Sequence, residues 1–84
     1  MLKVIDVSPM ANKHVYVEFD DGRKGEVDIL PFMTSPYFKA LENDAYFSKV
    51  SIFFSGIGWP DGQDLGPDTL SAELKPSQLE RKVS

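Results

Sequence analysis

The chain has no cysteine, a single histidine (His14) and no apolar run approaching the roughly 20 residues that span a bilayer. Without cysteine there is no disulfide framework and no thiolate chemistry. A secreted domain of 84 residues would ordinarily be stapled by disulfides, so the cytoplasm is the expected compartment. One histidine and no thiol leave too few donors for a zinc site. Asp6 interrupts the apolar residues of the opening MLKVIDVSPM, so no signal-peptide core of ordinary length is expected. Positive charge is scarce as well. Residues 1–70 carry six Lys and Arg against eleven Asp and Glu, while residues 71–84 carry three against two. The net charge of −4 thus sits on the body of the chain. Such a body lacks the basic face that phosphate contact demands, which argues against direct binding to nucleic acid. It suits a basic partner instead.

What is present fits one small globular domain. A content of 42% hydrophobic and 26% charged residues is ordinary for a folded chain, and 84 residues allow one core. Lys3 to Val7 is a β-rich run stopped by Ser8-Pro9. Val15, Val17 and Phe19 alternate with Tyr16, Glu18 and Asp20, the period of a strand with one dry face. Asp21-Gly22 then supplies a tight turn, and Gly25 to Ile29 alternates again, so residues 14–29 read as an antiparallel hairpin. Pro31 breaks the next apolar run. Ser35-Pro36 marks a helix start, with Ser35 as cap, and Asn43-Asp44 ends that helix and caps a second short turn through Phe47. Val50, Ile52 and Phe54 alternate with Ser51, Phe53 and Ser55. Phe53 on the second face predicts a strand buried on both sides, and the glycines at 56 and 58 predict a bulge or bend.

Four of the six glycines, two of the six prolines and the only tryptophan crowd into SGIGWPDGQDLGPDTL, residues 55–70. As a dinucleotide loop this stretch fails. Gly56 and Gly58 are correctly spaced, but Asp61 stands where the third glycine belongs, and Pro60, Gly62, Gly66 and Pro67 forbid the long helix that must follow. As a calcium loop it lacks ligands at alternate positions and the closing glutamate. A bend, a Pro60-Asp61-Gly62 turn, a short return strand at Gln63–Leu65 and a final helical turn from Pro67 account for every residue, with Asp64 and Asp68 as caps or turn acceptors. No serine stands in a nucleophile-elbow context, and His14 beside Lys13 reads as a solvated imidazole. Neither a catalytic residue nor a cofactor or metal site is expected. Phe32, Phe38, Phe47, Phe54 and Trp59 are needed for the core, whereas Tyr16, Tyr37 and Tyr46 suit half-buried positions.

The order of these pieces resembles the bacterial family called domain of unknown function 2442. The residues that carry the resemblance run from Val15-Tyr16-Val17-Glu18-Phe19-Asp20-Asp21-Gly22 through Gly25-Glu26-Val27-Asp28, Phe38-Lys39-Ala40-Leu41 and Phe47-Ser48-Lys49-Val50. They end in a signature built on Gly58, Trp59, Asp61, Gly62, Asp64, Leu65, Pro67, Asp68 and Leu70. The resemblance covers about residues 2–70 and implies a small α+β domain without defined catalytic residues. It also implies a setting beside a second small protein, in arrangements like toxin–antitoxin pairs. Some members carry a C-terminal helix-turn-helix, an extension that the 14 residues after the signature are too few to form.

The expected architecture is therefore α+β: a small antiparallel-rich sheet with one short helical segment between the third and fourth strands. Residues 1–70 form the domain and residues 71–84 a frayed tail or marginal helix. The expected function is a protein-interaction module, antitoxin-like, that binds a small basic protein through Tyr16, Glu18, Asp20, Glu26 and Asp28. A DNA-linked regulatory module acting through a partner or dimer, or a small-ligand domain near Gly56–Asp64, are the alternatives. A homodimer is open through an unpaired hairpin edge.

Overall fold

The computed structural model describes residues 1–76. Six strands form two antiparallel three-stranded sheets. The first holds β1 (Val4–Met10), β2 (His14–Phe19) and β3 (Lys24–Asp28), in that order. The second holds β4 (Ser51–Phe53), β5 (Gly56–Gly58) and β6 (Asp64–Leu65). Between them lie 3₁₀ turns at Leu30–Phe32 and Pro36–Glu42 and the single-turn helix α1 (Asp44–Phe47). Helix α2 (Pro67–Ala72) follows β6. The expected α+β class is what forms, with two corrections. There are two sheets rather than one, and the run from Val50 to Trp59 is two strands rather than one.

The hairpin forms where period two places it. Val15 pairs with Val27 and Val17 with Gly25, and all four are buried. The Asp20–Arg23 turn is closed by the Gly22 N–H on the Phe19 carbonyl at 3.0 Å, with Gly22 at φ +94°. Ser35 caps the Pro36 segment, its hydroxyl accepting from the Tyr37 N–H at 3.1 Å. The Asn43 side chain caps α1 by accepting from the Tyr46 N–H at 2.9 Å. Both segments are too short to persist alone, and they hold because Leu41 and Phe47 are buried against the sheets. The core is one cluster: Val4, Val15, Val17, Phe19, Val27 and Ile29 from the first sheet and its end, Leu41 and Phe47 from the helical segment, and Ile57, Trp59, Leu65 and Leu70 from the last third.

The fourth strand departs from expectation. It is not buried on both faces: Ile52 is 44% exposed, Phe53 39% and Phe54 87%. Phe54 is thus removed from the expected core. The bend falls at Phe54-Ser55, with Phe54 itself at φ +53°, while Gly56 and Gly58 lie buried inside β5. An alternating apolar pattern marks a strand but cannot say that the sheet ends beside it.

Past Ser71 the chain stays against the body. Lys75 and Glu26 exchange backbone hydrogen bonds at 2.8 and 2.9 Å, which lays Lys75 along the outer edge of β3. Leu74 packs on the core. The expected tail therefore begins with residues that belong to the fold. Its remainder, 77–84, lies outside the described residues.

Candidate functional site

Because Val15, Val17, Phe19 and Val27 turn inward, the alternate residues of β2 and β3 share the opposite face of the first sheet. The pairing sets Tyr16 against Glu26, Glu18 against Lys24 and His14 against Asp28. Four of the five residues expected to form a partner face, namely Tyr16, Glu18, Glu26 and Asp28, are thus brought together. Asp20 lies off the ladder, at the turn. Its carboxylate accepts from the Lys3 N–H at 3.1 Å, and its own N–H donates to the Lys3 carbonyl at 2.8 Å.

Several of these carboxylates are already engaged within the chain. Glu26 has a side chain only 12% exposed, and its Oε1 lies 3.0 Å from His14 Nδ1. Asp28 accepts from the N–H of Leu30, two residues on, at 3.0 Å where the chain enters the Leu30–Phe32 turn, with His14 Nε2 3.7 Å away. His14 is therefore held between two carboxylates rather than simply solvated. Asp21 is bound to Arg23: Oδ1 accepts the Arg23 N–H at 3.1 Å and Oδ2 accepts Nε at 2.9 Å. The backbone N–H of Arg23 first, and then its guanidinium, hold the Asp21 carboxyl below the usual carboxylate range.

A residue that the sequence reading missed completes the face. The β1–β2 register shifts at Ile5, between the Val4–Phe19 and Asp6–Glu18 pairs, and this bulge turns Asp6 toward Glu18. Two carboxylates then stand directly opposite each other on neighbouring strands, a placement that repels. Neither makes an ion pair or side-chain hydrogen bond among the described residues.

The glycine- and proline-rich stretch has a different role. Trp59 is buried and its indole N–H donates to the Phe47 carbonyl at 2.9 Å. The Trp59–Gly62 turn closes with the Gly62 N–H on the Trp59 carbonyl at 2.9 Å, and Gly62 takes the φ of +102° that a glycine tolerates. Around the turn runs a ring of hydrogen bonds. Tyr37 Oη donates to the Asp61 carbonyl at 3.2 Å, and the Asp61 N–H donates to Tyr46 Oη at 2.8 Å. Tyr46 Oη donates to Gln63 Oε1 at 2.8 Å, and Gln63 Nε2 donates to the Tyr37 carbonyl at 3.1 Å. Gln63, 2% exposed, is the buried polar residue that joins the ring, and it was not among the signature residues. Leu65 and Leu70 are core, Gly58 is buried at the end of β5, and Pro67 opens α2. Asp64 and Asp68 are exposed and their carboxylates accept no hydrogen bond among the described residues, so the expected caps are not made. Asp68 instead lies in the first turn of α2, where a negative charge suits the helix dipole. Among the described residues no three His, Cys, Asp or Glu side chains cluster as metal donors.

Two shallow grooves of about 380 and 370 Å³ lie at the β1–β2 connection, at Met10–Asn12. Lys13 closes one of them. Its ammonium donates to the Glu42 carbonyl at 3.1 Å, pairs with Asp44 and lies 5.2 Å from the centre of the Phe47 ring. The groove is a seam between the hairpin and α1, stapled by a cation.

No described helix is long and apolar enough to cross a membrane. A search of curated proteins and one of solved structures each give no match. The profile of one family does match, over residues 4–76, so that it takes in the Glu26–Lys75 bridge as well as the signature. The chain belongs to that family, described as protein of unknown function (DUF2442).

Proposed function

We propose that this domain binds rather than catalyses, and that it is an antitoxin-like interaction module whose outer sheet face receives a small basic protein. The observation that carries the reading is the Asp6–Glu18 pair. The two carboxylates face each other across β1 and β2; Lys24 stands opposite Glu18 on the other side, but neither carboxylate makes an ion pair among the described residues. A lysine or arginine from a partner would relieve that repulsion and gain a charge-assisted contact with both. Tyr16, half-buried in the middle of the same face, offers the aromatic surface that such contacts favour. Glu26 and Asp28 contribute negative potential while their side chains position His14 and the 3₁₀ turn.

The test uses tagged wild type and the Asp6→Lys/Glu18→Lys variant as paired baits, each co-expressed with its neighbouring genes. The expected result is a small basic protein retained in equal stoichiometry by the wild type, released by moderate salt, and lost from the variant at an unchanged melting temperature. Recovery of the same protein by both baits would reject the face, and a wild-type bait that retains no basic protein would reject the reading.

A further inference from the structure

We infer that the β4–β5 hairpin is a self-association surface, through which two copies of the chain pair β4 against β4 about a two-fold axis. Three observations meet there. The first is exposure: Ile52, Phe53 and Phe54 stand 44, 39 and 87% exposed on consecutive positions, with Ile5 at 52% one residue beyond Val4, whose N–H bonds the Ser55 carbonyl at 2.9 Å. Singly exposed apolar residues are ordinary, whereas a contiguous group marks a contact surface.

The second is backbone conformation. Phe54 occupies the first central position of a two-residue hairpin connection, at φ +53°, where glycine is favoured. Its ring meets Phe53 at 4.6 Å between centroids, yet 87% of the residue remains in solvent. The chain thus holds an aromatic in a costly conformation and gains little burial from it within one copy.

The third is charge. The 16 residues from Ala45 to Pro60 contain no Asp or Glu, and Lys49 is their one charged residue, in a chain of net charge −4. Two acidic copies can approach here without opposing carboxylates, whereas the outer face of the first sheet cannot meet its own copy. The open edges point the same way. β3 is covered along part of its edge by Lys75, and β1 meets Ser55 at Val4. β4 is the terminal strand of its sheet; the start of β1 lies beside it, but no backbone group of Ser51–Phe53 bonds beyond β5 among the described residues, so its ladder groups remain unpaired. The hairpin edge first expected to support a dimer is thus in part occupied. An antiparallel pairing centred on Ile52 sets Ile52 against Ile52, Phe53 against Ser51 of the second copy and Phe54 against Val50 of the second copy. That contact is self-complementary, as a two-fold interface requires.

Sedimentation equilibrium of the purified chain from about 10 to 500 µM tests this, alongside Phe54→Gly and Ile52→Lys. The expected result is a reversible dimer whose Kd rises at least tenfold in Phe54→Gly and whose dimer is lost in Ile52→Lys, both variants keeping the wild-type far-ultraviolet spectrum. Phe54→Gly suits the left-handed backbone, so a folding defect will not mimic the loss. A monomer throughout the range overturns the inference and leaves the patch to another protein or a membrane. A dimer that both variants retain overturns it as well, since the contact then lies elsewhere.

Discussion

The two sheets of this domain are built by different means. In the first, strands of seven, six and five residues pair over most of their length, and alternate side chains of β2 and β3 enter the core. In the second, strands of three, three and two residues carry too few ladder bonds to hold one another. They are fixed from outside, by Trp59 on the Phe47 carbonyl and by the ring through Tyr37, Asp61, Tyr46 and Gln63. Long strands are specified by a pattern distributed over many residues. Short ones are specified by a few side chains that reach backbone groups, so their loss should be felt as a network.

The largest effect that tests this contrast comes from the first sheet. Phe19 is fully buried, and Phe19→Ala is expected to cost about 3–5 kcal/mol, a large part of the stability of a domain this size. Gln63→Leu is expected to cost about 2–4 kcal/mol, because the Tyr37 carbonyl and the Tyr46 hydroxyl each lose a partner. Denaturant unfolding of the two singles and of each combined with Tyr46→Phe separates the mechanisms. Gln63→Leu and Tyr46→Phe should couple by about 1–2 kcal/mol, whereas Phe19→Ala and Tyr46→Phe should add within about 0.5 kcal/mol. Additivity in both pairs would mean that the ring is a set of independent bonds and that the contrast is wrong.

A smaller effect limits how self-sufficient the first sheet is. A β-carbon at Gly25 would lie 2.2 Å from the Lys75 carbonyl oxygen and 3.3 Å from Leu74 Cδ1. Gly25→Ala must therefore push the chain after α2 off the edge of β3, at an expected cost of about 1–3 kcal/mol. Amide hydrogen exchange is the direct reading. Protection at Glu26 and Lys75 should fall together while protection at Val15 and Val17 is kept. Unchanged protection at Lys75 would show that the bridge is not held by close approach at this glycine.

How much could be read in advance follows the same division. Val15, Val17, Phe19 and Val27 declare the hairpin because period two is written on both arms of residues 14–29, and with it the shared face of Tyr16, Glu18, Glu26 and Asp28. Asp6 was hidden, since the bulge at Ile5 resets the alternation by one and no residue type announces it. Ser35 and Asn43 were legible as caps because their function is local. Gln63 was not, because its partners are 26 and 17 positions away and a single glutamine carries no period. The glycines of the signature spoke for a bend, and the bend came at Phe54. That position is the first of the two residues that connect β4 to β5, a turn that no glycine in the sequence announces.

The smallest expected effect lies at the turn that joins β2 to β3. The Arg23 N–H and guanidinium hold the Asp21 carboxyl below its usual range, and both partners of this pair are exposed. A carboxyl lowered in the folded state stabilises the fold above its unfolded pKa, and that contribution is lost as pH falls through the folded value. Asp21→Asn should therefore lower the melting temperature slightly at about pH 6, and the gap from wild type should close by about pH 2. Arg23 also donates from Nη1 to Ser71 Oγ at 2.8 Å and lies 5.3 Å from the centre of the Phe19 ring, so the pair orients a side chain that ties the turn to α2. If the gap persists unchanged at low pH, the charge on Asp21 is irrelevant and only its acceptor geometry matters. If raising the salt closes the gap at about pH 6 as well, the contribution is the screened attraction of an exposed pair, the weakest of the forces that hold the first sheet in place.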